Sequence, residues 1–228
     1  MNIGKLHEWN ISYDRARELQ TDLRKRLILH DTNIPDDIRT IAGADISYSK
    51  ESNTFFAAVV VLDFPTMEIV EQSSSCGTAC FPYIPGLLTF REGPVLLQAF
   101  QKLSFSPDVI IFDGQGIAHP RGIGLASHMG LFLEIPSIGC GKTRLVGSYE
   151  EPGNEPGDYA PLTYEGSIAG GALRTKRNVK PIFVSQGHRI GLDRAIDIIL
   201  SNCRGYRLPE PTRRAHLAAG SLRLTAEA

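Results

Sequence analysis

Apolar positions along the chain change their period several times, and each change predicts an element. Leu6, Trp9, Tyr13, Ala16, Leu19, Leu23 and Leu27 recur at three- and four-residue steps with charges between them, which predicts an amphipathic helix over 5–29. The turn-forming run Asn33-Ile34-Pro35-Asp36-Asp37 separates it from three strand candidates at 39–48, 54–64 and 67–75. The middle one is apolar at every position from Phe55 to Leu62, the pattern of a strand buried on both faces. A helix at 88–103, a strand at 107–113, a helix at 122–134 and a strand at 137–140 follow. After a surface loop at 147–161, marked by prolines and glycines, come a strand at 181–185 and a helix at 192–203. A last helix is started by Pro211, and residues 221–228 are expected to fray. This order predicts an α/β fold. Three strands joined by short turns make a meander, later strands separated by helices add parallel to it, and helices flank the mixed sheet.

Length and charge narrow the classes. A chain of 228 residues fits a single domain, 1–228. The apolar run at Phe55–Leu62 is far short of the roughly 18 residues of a membrane span, and the polar start Met1–Asn10 lacks a signal-peptide core. A cytoplasmic monomer with no membrane partner is expected. The cysteines Cys76, Cys80, Cys140 and Cys203 offer no zinc-ligand spacing and are expected to be reduced, partly buried thiols. The formal net charge of −1 removes any global basic excess, so nucleic-acid binding would have to use local patches. Arg174, Lys176, Arg177 and Lys180 form one candidate and Arg204, Arg207, Arg213 and Arg214 another, although such clusters are commonly solvated surface.

Three acids stand out. Asp45 interrupts the apolar run Ile41–Ile46, where an ionised carboxylate is costly unless paired or bound to a cation. Asp113 ends Val109-Ile110-Ile111-Phe112, at the carboxyl end of a buried strand, where open α/β sheets place ligands. Glu92 begins the helix after Phe90-Arg91. Each has a bland alternative: a strand-end Asp, an Asp-Gly turn, and an acid favouring the helix dipole. Together, on the first strand, the first helix after the meander and the fourth strand, they match the way a ribonuclease H-like sheet gathers carboxylates around divalent metals, which are hard cations with oxygen ligands. Gly139-Cys140-Gly141-Lys142-Thr143 invites comparison with a phosphate-binding loop, but Pro136 stands where that loop requires glycine.

The longer blocks carry a resemblance. Phe81 to Glu92, containing Pro82-Tyr83-Ile84-Pro85, resembles endonuclease V, as do Asp113-Gly114-Gln115-Gly116, His119-Pro120-Arg121, Ala126-Ser127-His128, Ile138 to Lys142, and Pro209 to Arg213 with His216. The blocks fall in order over nearly the whole chain, with a small departure at Cys140-Gly141. The resemblance implies an endonuclease that hydrolyses the second phosphodiester on the 3′ side of a hypoxanthine nucleotide in DNA, or inosine-containing RNA as an alternative substrate. It leaves 3′-hydroxyl and 5′-phosphate ends. It implies Pro82, Tyr83, Ile84 and Pro85 as a wedge, with His119 and Arg121 also on nucleic acid. Gly86, Leu88, Gly114, Gly124 and Leu125 would form a base pocket. The cofactor expected is Mg²⁺, with Mn²⁺ able to substitute, on Asp45 and Asp113 with Glu92 direct or through water, while Lys142 and His216 orient water and phosphate. A lesion-binding protein without turnover is disfavoured, because acids facing phosphate would only weaken binding.

Overall fold

The computed structural model describes every residue except Asn2 and Ala79. One eight-stranded mixed sheet organises it, in the order β3-β2-β1-β4-β5-β8-β7-β6. Strands β1 (Thr40–Ser49), β2 (Thr54–Asp63) and β3 (Ile69–Thr78) form the antiparallel meander. β4 (Val109–Phe112) and β5 (Ser137–Gly141) add parallel to β1, as the alternation of strands with helices predicts. The far side differs from expectation. β6 (Tyr159–Tyr164), which begins within the predicted loop, forms a hairpin with β7 (Ser167–Leu173), and β8 (Ile182–His188) joins β5 antiparallel. The turn from β7 to β8 has no helix to carry the chain back across the sheet, so the strands reverse direction.

The continuous apolar run of β2 is buried on both faces. Phe55, Ala57, Val59 and Val61 pack with α2 (Leu88–Gln101) and α3 (Leu125–Leu133), while Val60 and Leu62 face Met67 and Ala215. On edge strand β3, alternate positions still face α2, where the Ser73 and Ser75 hydroxyls donate to the carbonyls of Ala99 (2.8 Å) and Val95 (2.6 Å). These bonds let polar side chains lie buried at that contact. Helix α4 (Leu192–Ser201) covers the opposite face around β8.

Two helical boundaries correct the sequence reading. Helix α1 spans Tyr13–Arg24 rather than 5–29, because Ser12 caps it by accepting from the Arg15 amide. Leu6 and Trp9 do reach the core, but from an extended segment, so side-chain spacing alone mimics a helix there. At the other end, α5 runs Glu210–Glu227 and does not fray over 221–228. Arg223 donates from Nε to the Ser47 hydroxyl (2.9 Å) and pairs with Glu227 (2.6 Å), which ties the last turns to β1.

Helix α5 lies on β1 with almost no clearance. A Cβ added at Gly43 would fall 1.9 Å from the carbonyl oxygen of Pro211. Glycine is therefore required by close approach, and that approach sets where the rest of α5 meets the strand. Gly43→Ala is expected to destabilise the protein by about 3 kcal/mol, as overpacking at an unyielding backbone contact does. A melting temperature equal to wild type would show that the contact is not close.

Candidate active site

Sheet register brings the first two acids together. Ala44 pairs with Phe112, and the Asp113 amide donates to the Ala44 carbonyl (3.1 Å), so Asp45 and Asp113 follow side by side on parallel neighbours. Asp45 sits within β1, opposite Ala58, rather than at a strand end. Both side chains are largely enclosed, at 10% and 13% exposure. Asp113 pairs with the Lys142 ammonium at the end of β5, and Asp45 accepts from His216 Nδ1 on α5 (2.6 Å). Asp113 is thus more than an Asp-Gly turn. Donor atoms of Asp45, Asp113 and His216 all lie within 4.8 Å of one another.

Glu92 approaches from α2. The first turn of that helix contains no acid, so Glu92 lies too far in to serve the helix dipole. Burial, followed by the negative charge of Asp45, pushes its carboxyl up to about 8, with Asp113 adding to the rise and Arg91 opposing it. Asp45 is raised as well, by burial and by Asp113, against the opposing effects of its His216 bond and Lys142. Three acids thus crowd one partly enclosed site, where burial and their mutual repulsion raise Asp45 and Glu92. Asp45, Asp113 and His216 form a group that could hold a metal ion, and the two carboxylates are donors of the kind a hard divalent cation takes. Glu92 lies outside the tight group that includes His216.

The Pro82-Tyr83-Ile84-Pro85 segment projects beside this centre. Tyr83 is 70% exposed, whereas Phe81, Leu87 and Phe90 on either side are buried and anchor the loop. The turn back into α2 needs a positive φ (78°) at Gly86. The Gly86 carbonyl accepts from Arg121 Nη2 (2.6 Å), Gln20 Nε2 (2.9 Å) and His119 Nε2 (3.1 Å). His119 Nδ1 accepts the Arg121 amide (3.2 Å), which leaves the proton on Nε2 to donate. Burial and then Arg121 push His119 down to about 4, so the ring is neutral at physiological pH. His119 and Arg121, expected on nucleic acid, therefore brace the base of the loop. Gln20 was missed: its signal is an amide on the apolar face of α1, four residues after Ala16, where periodicity calls for a hydrophobe.

Gly86, Leu88, Gly114, Gly124 and Leu125 all line one cavity of about 390 Å³, together with Tyr83, Asp113 and Lys142. Cys140, at the small departure in the sequence, is a buried core residue of β5, two positions before Lys142. Most arginines of the two basic clusters are engaged within the fold, while Lys176 and Lys180 take part in no salt bridge among the described residues. Arg174, Arg177, Arg213 and Arg214 pair with Glu151, Glu155 and Glu210, and Arg204 and Arg207 donate to backbone carbonyls. The cysteines are free, but Cys76 and Cys80 are exposed rather than partly buried. Among the described residues no helix is long and apolar enough to cross a membrane.

The family model described as endonuclease V matches residues 21–217. Endonuclease V of Dehalococcoides mccartyi (strain BAV1) is 49% identical over 222 residues, covering 97% of this chain and 99% of that protein. The crystal structure of endonuclease V from Streptomyces avermitilis superposes with a TM-score of 0.92 at 42% identity, over 96% of both chains. Endonuclease V of Ciona intestinalis, crystallised with a 23mer DNA containing an inosine followed by a ribo-adenosine, gives a TM-score of 0.83 at 27% identity, over 95% of this chain and 100% of that one. With its sequence matched almost end to end and its sheet and helices superposing on solved members, the chain belongs to the endonuclease V family of nucleases.

Proposed function

We propose that this protein hydrolyses the second phosphodiester bond on the 3′ side of hypoxanthine in DNA, leaving 3′-hydroxyl and 5′-phosphate ends, with Mg²⁺ as its cofactor. The observation that carries this reading is that Asp113 belongs at once to the acid cluster and to the wall of the cavity beside Tyr83. A base seated in the cavity holds its own strand against the acids. The DNA ligand of the Ciona relative carries the matching lesion.

The chain's residues divide the work. Tyr83 fills the gap left in the stack when the base turns out, and backbone groups at Gly114 and Gly124 meet its edge. Asp45 and Asp113 would hold the cation, with Glu92 completing its shell directly or through water. The cation would supply Lewis-acid activation of the attacking water and neutralise charge on the leaving oxygen. Lys142, close to Asp113, turns to the phosphate when that carboxylate is otherwise engaged. His216 spends Nδ1 on Asp45 and keeps Nε2 for water or phosphate, its side chain being 58% exposed.

The test is to incubate purified protein with end-labelled strands carrying one inosine, with Mg²⁺, Mn²⁺, Ca²⁺ or chelator, and to map the cut. Cleavage is expected with Mg²⁺ and Mn²⁺, and binding alone with Ca²⁺. Full activity in excess chelator would remove the metal reading. Inosine in RNA is the second reading, favoured by the ribo-adenosine that follows inosine in the Ciona ligand, and all-RNA and single-ribonucleotide strands belong in the same assay.

Tyr83→Ala separates recognition from folding. Stacking against bases is worth roughly 1–3 kcal/mol, so affinity for inosine-containing duplex should fall on the order of tenfold or more. The exposed ring contributes little to the core, and the melting temperature should hardly move. Wild-type affinity with a strongly lowered melting temperature would show a structural anchor instead.

A further inference from the structure

The cavity beside Tyr83 does not end at Lys142. Lys142, Thr143 and Arg144 form a wall shared with a second, open basin of about 660 Å³, which continues over Tyr149, Lys180 and Arg207. In the sheet order β1-β4-β5-β8, this basin lies at the β5 and β8 ends, on the far side of Lys142 from Asp45. We propose that it binds backbone phosphates of the strand flanking the lesion, a second contact zone that rests on the reading of an extruded base in the first cavity.

Charge is the first support. The chain as a whole carries a formal net charge of −1, yet four cations border this basin. Its one carboxylate, Glu151, is engaged from beneath by the buried guanidinium of Arg174 (2.7 Å). Arg144 and Lys180 are exposed, and neither takes part in a salt bridge among the described residues. Uncommitted cations on a concave surface are what phosphate oxygens require.

Construction is the second. Arg207 Nη2 donates to the carbonyls of Lys142 (2.6 Å) and Pro181 (2.8 Å), and Nε to that of Lys180 (2.9 Å). One planar group thereby ties the segment after β5 to the start of β8 and presents Lys142 and Lys180 to one space. Arg144 extends over the Tyr149 ring, 5.9 Å from its centroid, and that ring stands edge-on to Phe183. The wall is thus assembled from groups that hold one another. Continuity with the base cavity selects the occupant, because a strand with one base seated there must carry its neighbouring phosphates past Lys142 on one flank.

The experiment compares Lys180→Glu with Lys50→Glu, which reverses the same charge at an exposed site outside the basin. Affinity is measured with a short inosine strand and with strands extended only on the 5′ or only on the 3′ side, across a salt series. Lys180→Glu should leave the short strand within about twofold, weaken one extended strand about tenfold, and reduce its salt slope by about 0.7 or more, with an unchanged melting temperature. Behaviour identical to Lys50→Glu on all three strands would overturn the proposal. Wild-type protein that binds inosine no better than adenosine would instead defeat the lesion reading, and a flank-dependent loss in Lys180→Glu would then leave the basin standing as a strand-binding surface.

Discussion

Asp113→Ala and Asp45→Ala are each expected to lower cleavage to below about 1% of wild type while leaving inosine binding measurable. Each removes an oxygen ligand from the proposed cation site, and neither removes Tyr83 or the glycines that line the cavity. The partner left behind also matters: Asp113→Ala strands the Lys142 ammonium, and Asp45→Ala frees His216 to swing away. A stability measurement accompanies the kinetic one. Because Asp45 is the larger charged contributor to the raised Glu92 carboxyl, Asp45→Ala should bring Glu92 back toward its ordinary range. Retained Mg²⁺-dependent cleavage above a few per cent in either variant would sink the assignment of these acids as ligands. Glu92→Ala should lower cleavage similarly, and a partial loss there would favour a role through water.

The second large effect is a pH dependence of the metal-free protein. Glu92 has a folded pKa of about 8, above its ordinary 4.5, so between those values the folded state holds a proton that the unfolded state releases. Stability therefore falls as pH rises through that window. Buried His119 and His128 act oppositely. Their folded pKa values lie below 6.5, so their contribution grows as pH rises and is complete above about 6.5. Above that point only the carboxylates change. From pH 6.5 to 8 the metal-free protein should lose about 2 kcal/mol, or roughly 4–8 °C in melting temperature. Mg²⁺ should restore the loss at pH 8 and do little at pH 5.5, where the acids hold their protons. Glu92→Gln should flatten the slope. A flat metal-free profile from pH 6.5 to 8 would show that the acids are not crowded as described.

Crowding of this kind was partly legible beforehand. Asp45 and Asp113 stood out because a charged residue in an apolar strand demands compensation whatever the fold. Their mutual distance was not legible, since it depends on the Ala44–Phe112 register between strands more than sixty residues apart. His216 meets Asp45 only because Gly43 lets α5 settle onto β1, a contact across the fold that leaves no periodic trace.

By itself, the sequence determined the elements whose burial is dictated locally. The unbroken apolar run of β2 had to lie between two layers, Val109–Phe112 had to be an inner strand ending at an acid, and the alternation of strands and helices around it required parallel neighbours. The ordered motif blocks likewise carried the family. Tertiary structure decided what depends on partners distant in sequence. It turned the regular spacing of Leu6 and Trp9 into an extended strap, paired the β6–β7 hairpin with β8, and spent most of the arginines on nearby acids and carbonyls. It also joined His119 and Arg121 to the Gly86 carbonyl at the base of the wedge. The division has one physical cause. Hydrophobic periodicity records which face of a segment leaves water, whereas hydrogen bonds and ion pairs are chosen by whichever group the folded chain brings within about 3 Å.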